Sequence, residues 1–371
     1  MRNYSRNTID AFFALMQAEL WEKEVRLEPY GKVDSSEVYS LTSEQSVVGL
    51  IAAGLEHIAD VQVPQNVALT IVGDVMQLEQ KNREMNEFIA SIVCQLRKNG
   101  IDTLLVKGQG IAQCYERPLW RASGDVDLFL DADNYQKAKA YFSAKGENVE
   151  ESSHDIKHTK MTIVSWLVEL HGTLRTQLGQ RIDKVVDEVQ EDTFKNGSIR
   201  IWKDISTDVL LPSPDNDVVF VFTHFLQHFF FGGCGLRQIC DWCRLLWTYR
   251  DSLDVALLEK RLRKAGLMSE WKAFGALAVI YLGMPEVVMP LYSSAKKWHQ
   301  KADRILHSIL LMGNMGHNRN MDYRQTDTGI LRKLKTFYIV TKDACRLAAI
   351  FPMDSVRVWW MLNVREIKKH V

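Results

Sequence analysis

The spacing of apolar residues divides the chain into three stretches. Up to about residue 100, apolar residues recur every three or four positions, which predicts helices. The clearest of these helices carries Met85, Phe88, Ile89, Ile92, Val93 and Leu96, and Asn99-Gly100 is a typical helix stop. After Pro212 the same spacing returns and predicts further helices, over 216–231, 236–249, 257–265, 269–282, 297–311 and 329–350.

Between the two helical stretches, apolar residues occur in short runs that are typical of strands. The predicted strands cover 103–106, 126–130, 160–163, 166–170 and 199–202. A helix is expected over 133–145, between the second and third strands. The pattern therefore predicts an α+β fold, with a small mixed sheet flanked by N-terminal helices and a C-terminal helical domain. We place the corresponding parts at 1–88, 89–212 and 213–371.

Composition narrows the class of protein. The chain is 46% apolar and 25% charged, as expected for a globular protein, and Lys+Arg and Asp+Glu both total 46. Without a basic excess, long nucleic acid is a disfavoured partner. No segment reads as a signal peptide or as a transmembrane helix, and the six cysteines have no disulfide-framework spacing. We therefore expect a soluble, cytoplasmic protein.

Two aspartates in the middle stretch are the strongest chemical signal. Asp125 and Asp127 are one residue apart on a predicted strand, so both carboxylates point to the same side, whereas Val126 and Leu128 point to the opposite side. Two like charges so close raise each other's pKa, and bound Mg²⁺ would relieve that conflict while leaving positions for triphosphate oxygens. Asp-x-Asp is also common in surface loops, so an exposed turn is the alternative interpretation.

The residues around this pair favour a nucleotide site. A predicted buried strand leads into Lys107-Gly108-Gln109 and a short helix, whose first backbone N–H groups could bind a triphosphate. Lys107 and Arg121 could add positive charge to the same site. Glu169 lies on another predicted strand, where an acid is otherwise out of place, and would supply a third carboxylate.

Four segments together carry a resemblance to a known family. They are Leu105-Val106-Lys107-Gly108, Arg121, Asp125-Val126-Asp127 and Val168-Glu169-Leu170-His171. These segments resemble the polymerase-β-type nucleotidyltransferase superfamily and, more narrowly, an uncharacterised bacterial nucleotidyltransferase family often described with surface-polysaccharide genes. The resemblance covers residues 85–249, including the segment 235–241.

The resemblance implies a metal-dependent nucleotidyltransferase. Asp125 and Asp127 carry over as ligands of two Mg²⁺ ions, with Mn²⁺ as an alternative, Glu169 as the third acid, and Gly108 as part of the nucleotide-binding turn. The expected reaction moves an NMP group from an NTP to a hydroxyl or phosphate acceptor, which is unassigned, with a sugar-related small molecule as one candidate. The superfamily usually has Gly-Ser or Gly-Gly where this chain has Gly108-Gln109. An inactive nucleotide-binding or interaction module is therefore the alternative, and a metal-dependent hydrolase is a third interpretation.

Several histidines and cysteines lie outside these segments. His224 and His228 have the four-residue spacing of a zinc pair, but the glutamate of a zinc protease is absent between them. Three cysteines follow nearby, Cys234, Cys240 and Cys243. We favour a packed helix with buried thiols over a metal site, and leave open that the two histidines face the nucleotide cleft.

Three further polar residues have two interpretations each. Arg237 and Asp241 are four residues apart, and we favour an intrahelical ion pair over a phosphate-binding role for Arg237. His171 follows Glu169 with one residue between them. It would either support the acids or form a polar strand end.

Overall fold

The computed structural model describes residues 4–145, 150–151, 158–203, 206–318 and 329–368 of the 371-residue chain. The helices before and between the strands are α1 (Arg6–Trp21), α2 (Ser35–Gln45), α3 (Val48–Glu56), α4 (Gln65–Lys98), α5 (Gly108–Ala112), α6 (Ala132–Ala144) and α7 (Gln180–Lys195). The helices after the strands are α8 (Pro214–Phe231), α9 (Leu236–Thr248), α10 (Val255–Ala265), α11 (Met268–Ile280), α12 (Lys296–Met312), α13 (Gly329–Ala348) and α14 (Pro352–Lys368).

Within the described residues, seven strands form one mixed sheet in the order β3-β4-β5-β2-β1-β7-β6. The strands are β1 (Leu104–Val106), β2 (Asp125–Phe129), β3 (Glu150–Glu151), β4 (His158–Ile163), β5 (Trp166–His171), β6 (Ile199–Trp202) and β7 (Val209–Pro212). The β2–β5 and β1–β7 pairs are parallel, and the other neighbours are antiparallel. The sheet therefore places β2 and β5 side by side, although 36 residues separate Phe129 from Trp166 in the sequence.

The alternation of side chains along β2 places a separate core on each face of the sheet. Val126 and Leu128 belong to one core, which includes Met85 of α4 and Tyr135 of α6. Phe129 belongs to the other, where its ring lies 4.7 Å from that of Phe194 and 5.6 Å from that of Phe220. Both faces of the strand that carries the aspartates are thus covered, which fixes its position.

The N-terminal and C-terminal helices both contribute to the core that contains Phe129. Gln17 of α1 donates to the Tyr281 carbonyl at 2.9 Å, and the Leu236 N–H of α9 donates to Gln45 Oε1 at 3.0 Å. Helix α4 is continuous through residue 88. Secondary structure therefore marks no break at that point, and the division into three parts remains a proposal.

The structure confirms the predicted α+β class, with a mixed sheet, N-terminal helices and a C-terminal helical region. The hairpin expected over 160–163 and 166–170 is present as β4 and β5, and the strand expected over 199–202 is β6. Helix α7 and strand β7 were not predicted, and the short helix expected after Gln109, over 111–115, is α5 and already begins at Gly108. In the described part of the chain, no helix has an apolar stretch sufficient to cross a bilayer.

Candidate functional site

Two parallel strands bring three carboxylates together. In the β2–β5 register, Asp127 lies directly beside Glu169, and Asp125 lies two residues earlier on the same face. One oxygen from each of the three side chains lies within 4.8 Å of the others. Asp127 and Glu169 are 3% and 7% exposed, whereas Asp125 is half-buried. The sequence-predicted acids therefore form one cluster.

The turn between β1 and α5 places a lysine against these acids. Lys107 Nζ lies 2.8 Å from Asp127 Oδ1. The backbone of Lys107 has φ +58° and ψ −150°, a region that is strained for any residue except glycine. Gly108 follows with φ +39°, where a residue with a side chain would also be strained. The turn thus holds the ammonium group at the acids at a cost in backbone strain.

Two histidines and a second lysine surround the other side of the acid cluster. His171 Nε2 lies 2.7 Å from Asp127 Oδ1, and His158 Nε2 lies 2.9 Å from Glu169 Oε2. The two rings stack with centroids 4.6 Å apart, and Lys160 also donates to Glu169. His158 and Lys160 were missed from the sequence. The β4–β5 hairpin register, which sets 158 opposite 171 and 160 opposite 169, was the signal that could have found them.

These neighbours give the three acids different pKa values. The charge of Asp127, together with burial, raises the pKa of Asp125. Burial would also raise the pKa of Asp127, but Lys107 and a hydrogen bond from His171 outweigh it and hold that pKa well below its ordinary value. For Glu169, His158 and Lys160 outweigh burial and lower the pKa to about 2. At neutral pH, Asp127 and Glu169 are therefore ionised.

The donor chemistry of the cluster fits a hard divalent cation. Asp125, Asp127 and Glu169 offer carboxylate oxygens, which Mg²⁺ and Mn²⁺ prefer. The raised pKa of Asp125 reflects a repulsion that a bound cation would remove. His158, Glu169 and His171 form an overlapping group of possible ligands. The residues present therefore fit a metal on the carboxylate side.

The comparison with protein families identifies the family. The model of a family described as uncharacterised nucleotidyltransferase matches residues 31–283, more than half of the chain and including every residue of the acid cluster. The chain belongs to this family. A search of curated proteins and a search of solved structures each found no match.

In this nucleotidyltransferase family member, two arginines from the sequence prediction lie in different surroundings. Arg121 makes a buried two-pronged ion pair with Asp241, with Nη2 2.6 Å from Oδ2 and Nε 3.1 Å from Oδ1. The favoured intrahelical pair between Arg237 and Asp241 is therefore wrong. Arg237 instead donates to the Ala122 carbonyl, and its buried Nε has no acceptor among the described residues. Burial and the charge of Arg121 lower the pKa of Arg237.

Gln109, which occupies the position that departs from the superfamily pattern, does not turn its side chain toward the acids. Its Nε2 donates to Asn82 Oδ1 of α4 at 2.7 Å, and the residue is 1% exposed. The Asn82 amide in turn donates to the carbonyls of Leu119 and Arg121. The Gln109 side chain thus ties α5 to α4, and only its backbone remains near the turn.

The two histidines of α8 lie close to the acid cluster, and the cysteines do not join them. His224 Nε2 and His228 Nε2 are 3.0 Å apart. Burial and the charge of Lys107 lower the pKa of both rings, that of His228 to about 4. The three cysteines are instead buried in the hydrophobic core, as the sequence favoured, where burial raises the thiol pKa. Among the described residues, no candidate metal group contains any of these cysteines.

Proposed function

We propose that the chain transfers an NMP group from an NTP to an acceptor, with Asp125, Asp127 and Glu169 as the ligands of two Mg²⁺ or Mn²⁺ ions. One observation carries the proposal, namely that these three carboxylates meet within 4.8 Å at the junction of two parallel strands. When bound, the ions would stabilise the attacking and leaving oxygens of an in-line displacement. Membership of a nucleotidyltransferase family supports the same reaction class.

The turn that begins α5 is the proposed triphosphate-binding element. Lys107 is 18% exposed at its side chain and lies in front of the acids, so its ammonium group can reach a phosphate placed there. The backbone N–H groups of Gly108 and Gln109, at the start of the helix, would contribute further donors. This turn therefore orients the nucleotide against the carboxylates.

Arg237 is the proposed second cation for the nucleotide. Its buried Nε has no acceptor among the described residues, and its charge acts on Asp125. Arg121 is engaged by Asp241 and donates its Nη1 to Ser123 Oγ at 3.2 Å. We assign Arg121 the role of holding α9, and hence Arg237, beside the acid cluster.

Glu169 is better suited to metal ligation than to proton transfer. A general base works best when its pKa lies near the pH of the reaction, and the pKa of Glu169 is about 2. A carboxylate of this kind stays ionised and keeps its lone pairs for a cation or for the two basic side chains of β4. The acceptor would enter at the half-buried Asp125, and a small, sugar-related acceptor remains the proposal.

A non-catalytic binding module is the second candidate, and one observation favours it. Asp127 already contacts Lys107 and His171, and Glu169 already contacts His158 and Lys160. Basic side chains therefore offset the charges that a metal would otherwise neutralise. In this alternative, the cluster would be a structural ion-pair network that needs no cation.

Calorimetry with Mg²⁺ and each NTP separates the two candidates. For the enzyme, NTP binding requires Mg²⁺ and is abolished by Asp125→Ala, whereas the matched surface variant Asp133→Asn binds as the wild type does. Asp133 is exposed and pairs with Lys137 on its own helix α6. NTP binding that is independent of Mg²⁺ and unchanged in Asp125→Ala would support the binding module instead.

Turnover gives the second readout. We expect Asp127→Asn to abolish pyrophosphate release without unfolding the chain, and Asp133→Asn to leave it unchanged. Labelled NTPs incubated with Mg²⁺ and a metabolite extract should yield a labelled product that identifies the acceptor. Pyrophosphate release that needs no acceptor would indicate a hydrolase, and full turnover in Asp127→Asn would refute the assignment.

A further inference from the structure

A second group of possible metal ligands lies outside the acid cluster. Glu19 belongs to α1, His57 immediately follows α3, and Glu116 lies in the segment after α5. One ligand atom from each of these side chains lies within 4.8 Å of the others. We propose that Glu19, His57 and Glu116 form a site for a divalent transition-metal ion, such as Zn²⁺, which links the N-terminal helices to the segment that follows the nucleotide turn.

Glu19 is the observation that carries this proposal. The residue is 3% exposed, and its Oε2 is buried with no hydrogen-bond partner among the described residues. A buried carboxylate without a partner is costly, since an ionised group is poorly stabilised away from water. A cation held between Glu19 and its two neighbouring ligands would remove that cost.

The two arginines whose charges act on Glu19, Arg117 and Arg244, do not supply this compensation. Arg117 directs Nη1 and Nη2 to the carboxylate of Glu56. Arg244 donates Nε to the Cys114 carbonyl at 2.7 Å and Nη1 to the Leu20 carbonyl at 2.6 Å. Both guanidinium groups are thus held by other acceptors, and they act on Glu19 only at a distance.

The backbone holds the other two ligands in place. The His57 carbonyl accepts the Val25 N–H at 3.0 Å, which fixes the end of α3 against the segment after α1. Glu116 lies between Tyr115, whose hydroxyl donates to Asp241 at 2.9 Å, and Arg117, which is paired with Glu56. Because Glu116 is exposed and His57 is half-buried, an ion and its water ligands can enter from solvent. The site therefore needs little rearrangement.

The donor set determines the class of ion. Two carboxylates and an imidazole suit Zn²⁺ and neighbouring transition metals, whereas Mg²⁺ favours oxygen donors alone. Burial and the charge of Glu116 raise the pKa of Glu19 to about 7. Metal binding requires the ionised carboxylate, so the affinity should increase as the pH rises through 7, with release of a proton.

The test uses full-length protein that carries Glu169→Gln, which removes the carboxylate that the acid cluster shares with the group His158, Glu169 and His171. Zn²⁺ is titrated against a chromogenic chelator for this protein and for the same protein with His57→Ala, Glu19→Gln or Glu24→Gln. Glu24 is the matched control, since it is an exposed glutamate that pairs with Arg26. We expect one Zn²⁺ per chain in the parent and in the Glu24→Gln protein, and loss of that ion in the other two.

Stability measurements separate lost metal binding from a damaged fold. Without metal, Glu19→Gln should unfold at the same or a higher temperature than the parent above pH 7, because it removes an uncompensated buried charge. With Zn²⁺, the parent and the Glu24→Gln protein should gain thermal stability, since the ion binds their native state, whereas the His57→Ala and Glu19→Gln proteins should not. Anomalous diffraction at the zinc edge should place the ion between the three side chains. Equal Zn²⁺ content in all four proteins, or no anomalous peak at this place, would overturn the proposal.

Discussion

The buried ion pair between Arg121 and Asp241 is a sensitive point of the structure. It joins the segment before β2 to α9, and both residues are 5% exposed. Asp241 also accepts the hydroxyl of Tyr115, so its two oxygens receive three hydrogen bonds. The change Asp241→Asn keeps the shape of the side chain but removes its charge, which leaves the buried guanidinium of Arg121 without a counter-ion.

The expected loss is large. Removing one partner of a buried ion pair costs about 3–5 kcal/mol, whereas a native domain is stable by about 5–15 kcal/mol. Asp241→Asn should therefore remove at least about a fifth of the free energy of unfolding. The double variant Arg121→Gln/Asp241→Asn should lose less than the sum of the two single losses, because neither charge is then left alone.

Urea denaturation, followed by far-UV circular dichroism and by the fluorescence of the ten tryptophans, measures these losses. The control is Asp133→Asn, which breaks the exposed pair with Lys137 and should cost less than about 1 kcal/mol. A loss in Asp241→Asn no larger than that of the control would refute the reasoning. Strictly additive single and double variants would refute it as well.

Three further outcomes are expected. Gly49→Ala should destabilise the chain in thermal unfolding, because the added Cβ would lie 1.8 Å from the Trp120 carbonyl oxygen. Gly73→Ala is the control: it has open space around it and should stabilise the chain by about 0.5–1 kcal/mol. Burial raises the pKa of Glu270 to about 8, so its contribution to stability is complete below pH 4.5 and is lost as the pH rises through 8; Glu270→Gln should flatten that part of the stability–pH curve. Lys107→Met should weaken NTP binding in calorimetry. Mg²⁺ alone should bind no more weakly, because the Lys107 ammonium group, which competes with the ion for the Asp127 carboxylate, is absent.

The features that depend on local periodicity could be predicted from the sequence. Side chains alternate along a strand, so Asp125 and Asp127 had to share a face, and Val126 and Leu128 had to face a core. The helices after Pro212 followed from the same kind of reasoning. Helix α7 carried a comparable signal in Ile182, Val185, Val186 and Val189, but its apolar stripe is narrow and the segment as a whole is polar.

The features that depend on pairing between distant segments could not be read from local patterns. β7 is a short apolar run whose place is set by its parallel neighbour β1. The i, i+4 rule favoured an Arg237–Asp241 pair, and such a pair on a helix surface is worth only about 0.3–0.5 kcal/mol. The bidentate contact with Arg121 is stronger, because the desolvated Asp241 carboxylate receives two charge-assisted hydrogen bonds from the planar guanidinium group.

The backbone strain at Lys107 and the electrostatics of the acid cluster both favour a nucleotide site over a purely structural ion-pair network. The backbone of Lys107 occupies a region that costs about 1–3 kcal/mol for a residue with a side chain, and such strain persists where the surrounding structure enforces it. A glycine at this position would relieve the strain but would lose the ammonium group. The fold thus retains a strained lysine beside three acids, of which Asp125 has a raised pKa and is the most exposed. An ion-pair network that served only stability would gain from relaxing that turn, whereas a site that must present both a cation and carboxylates to one nucleotide would not.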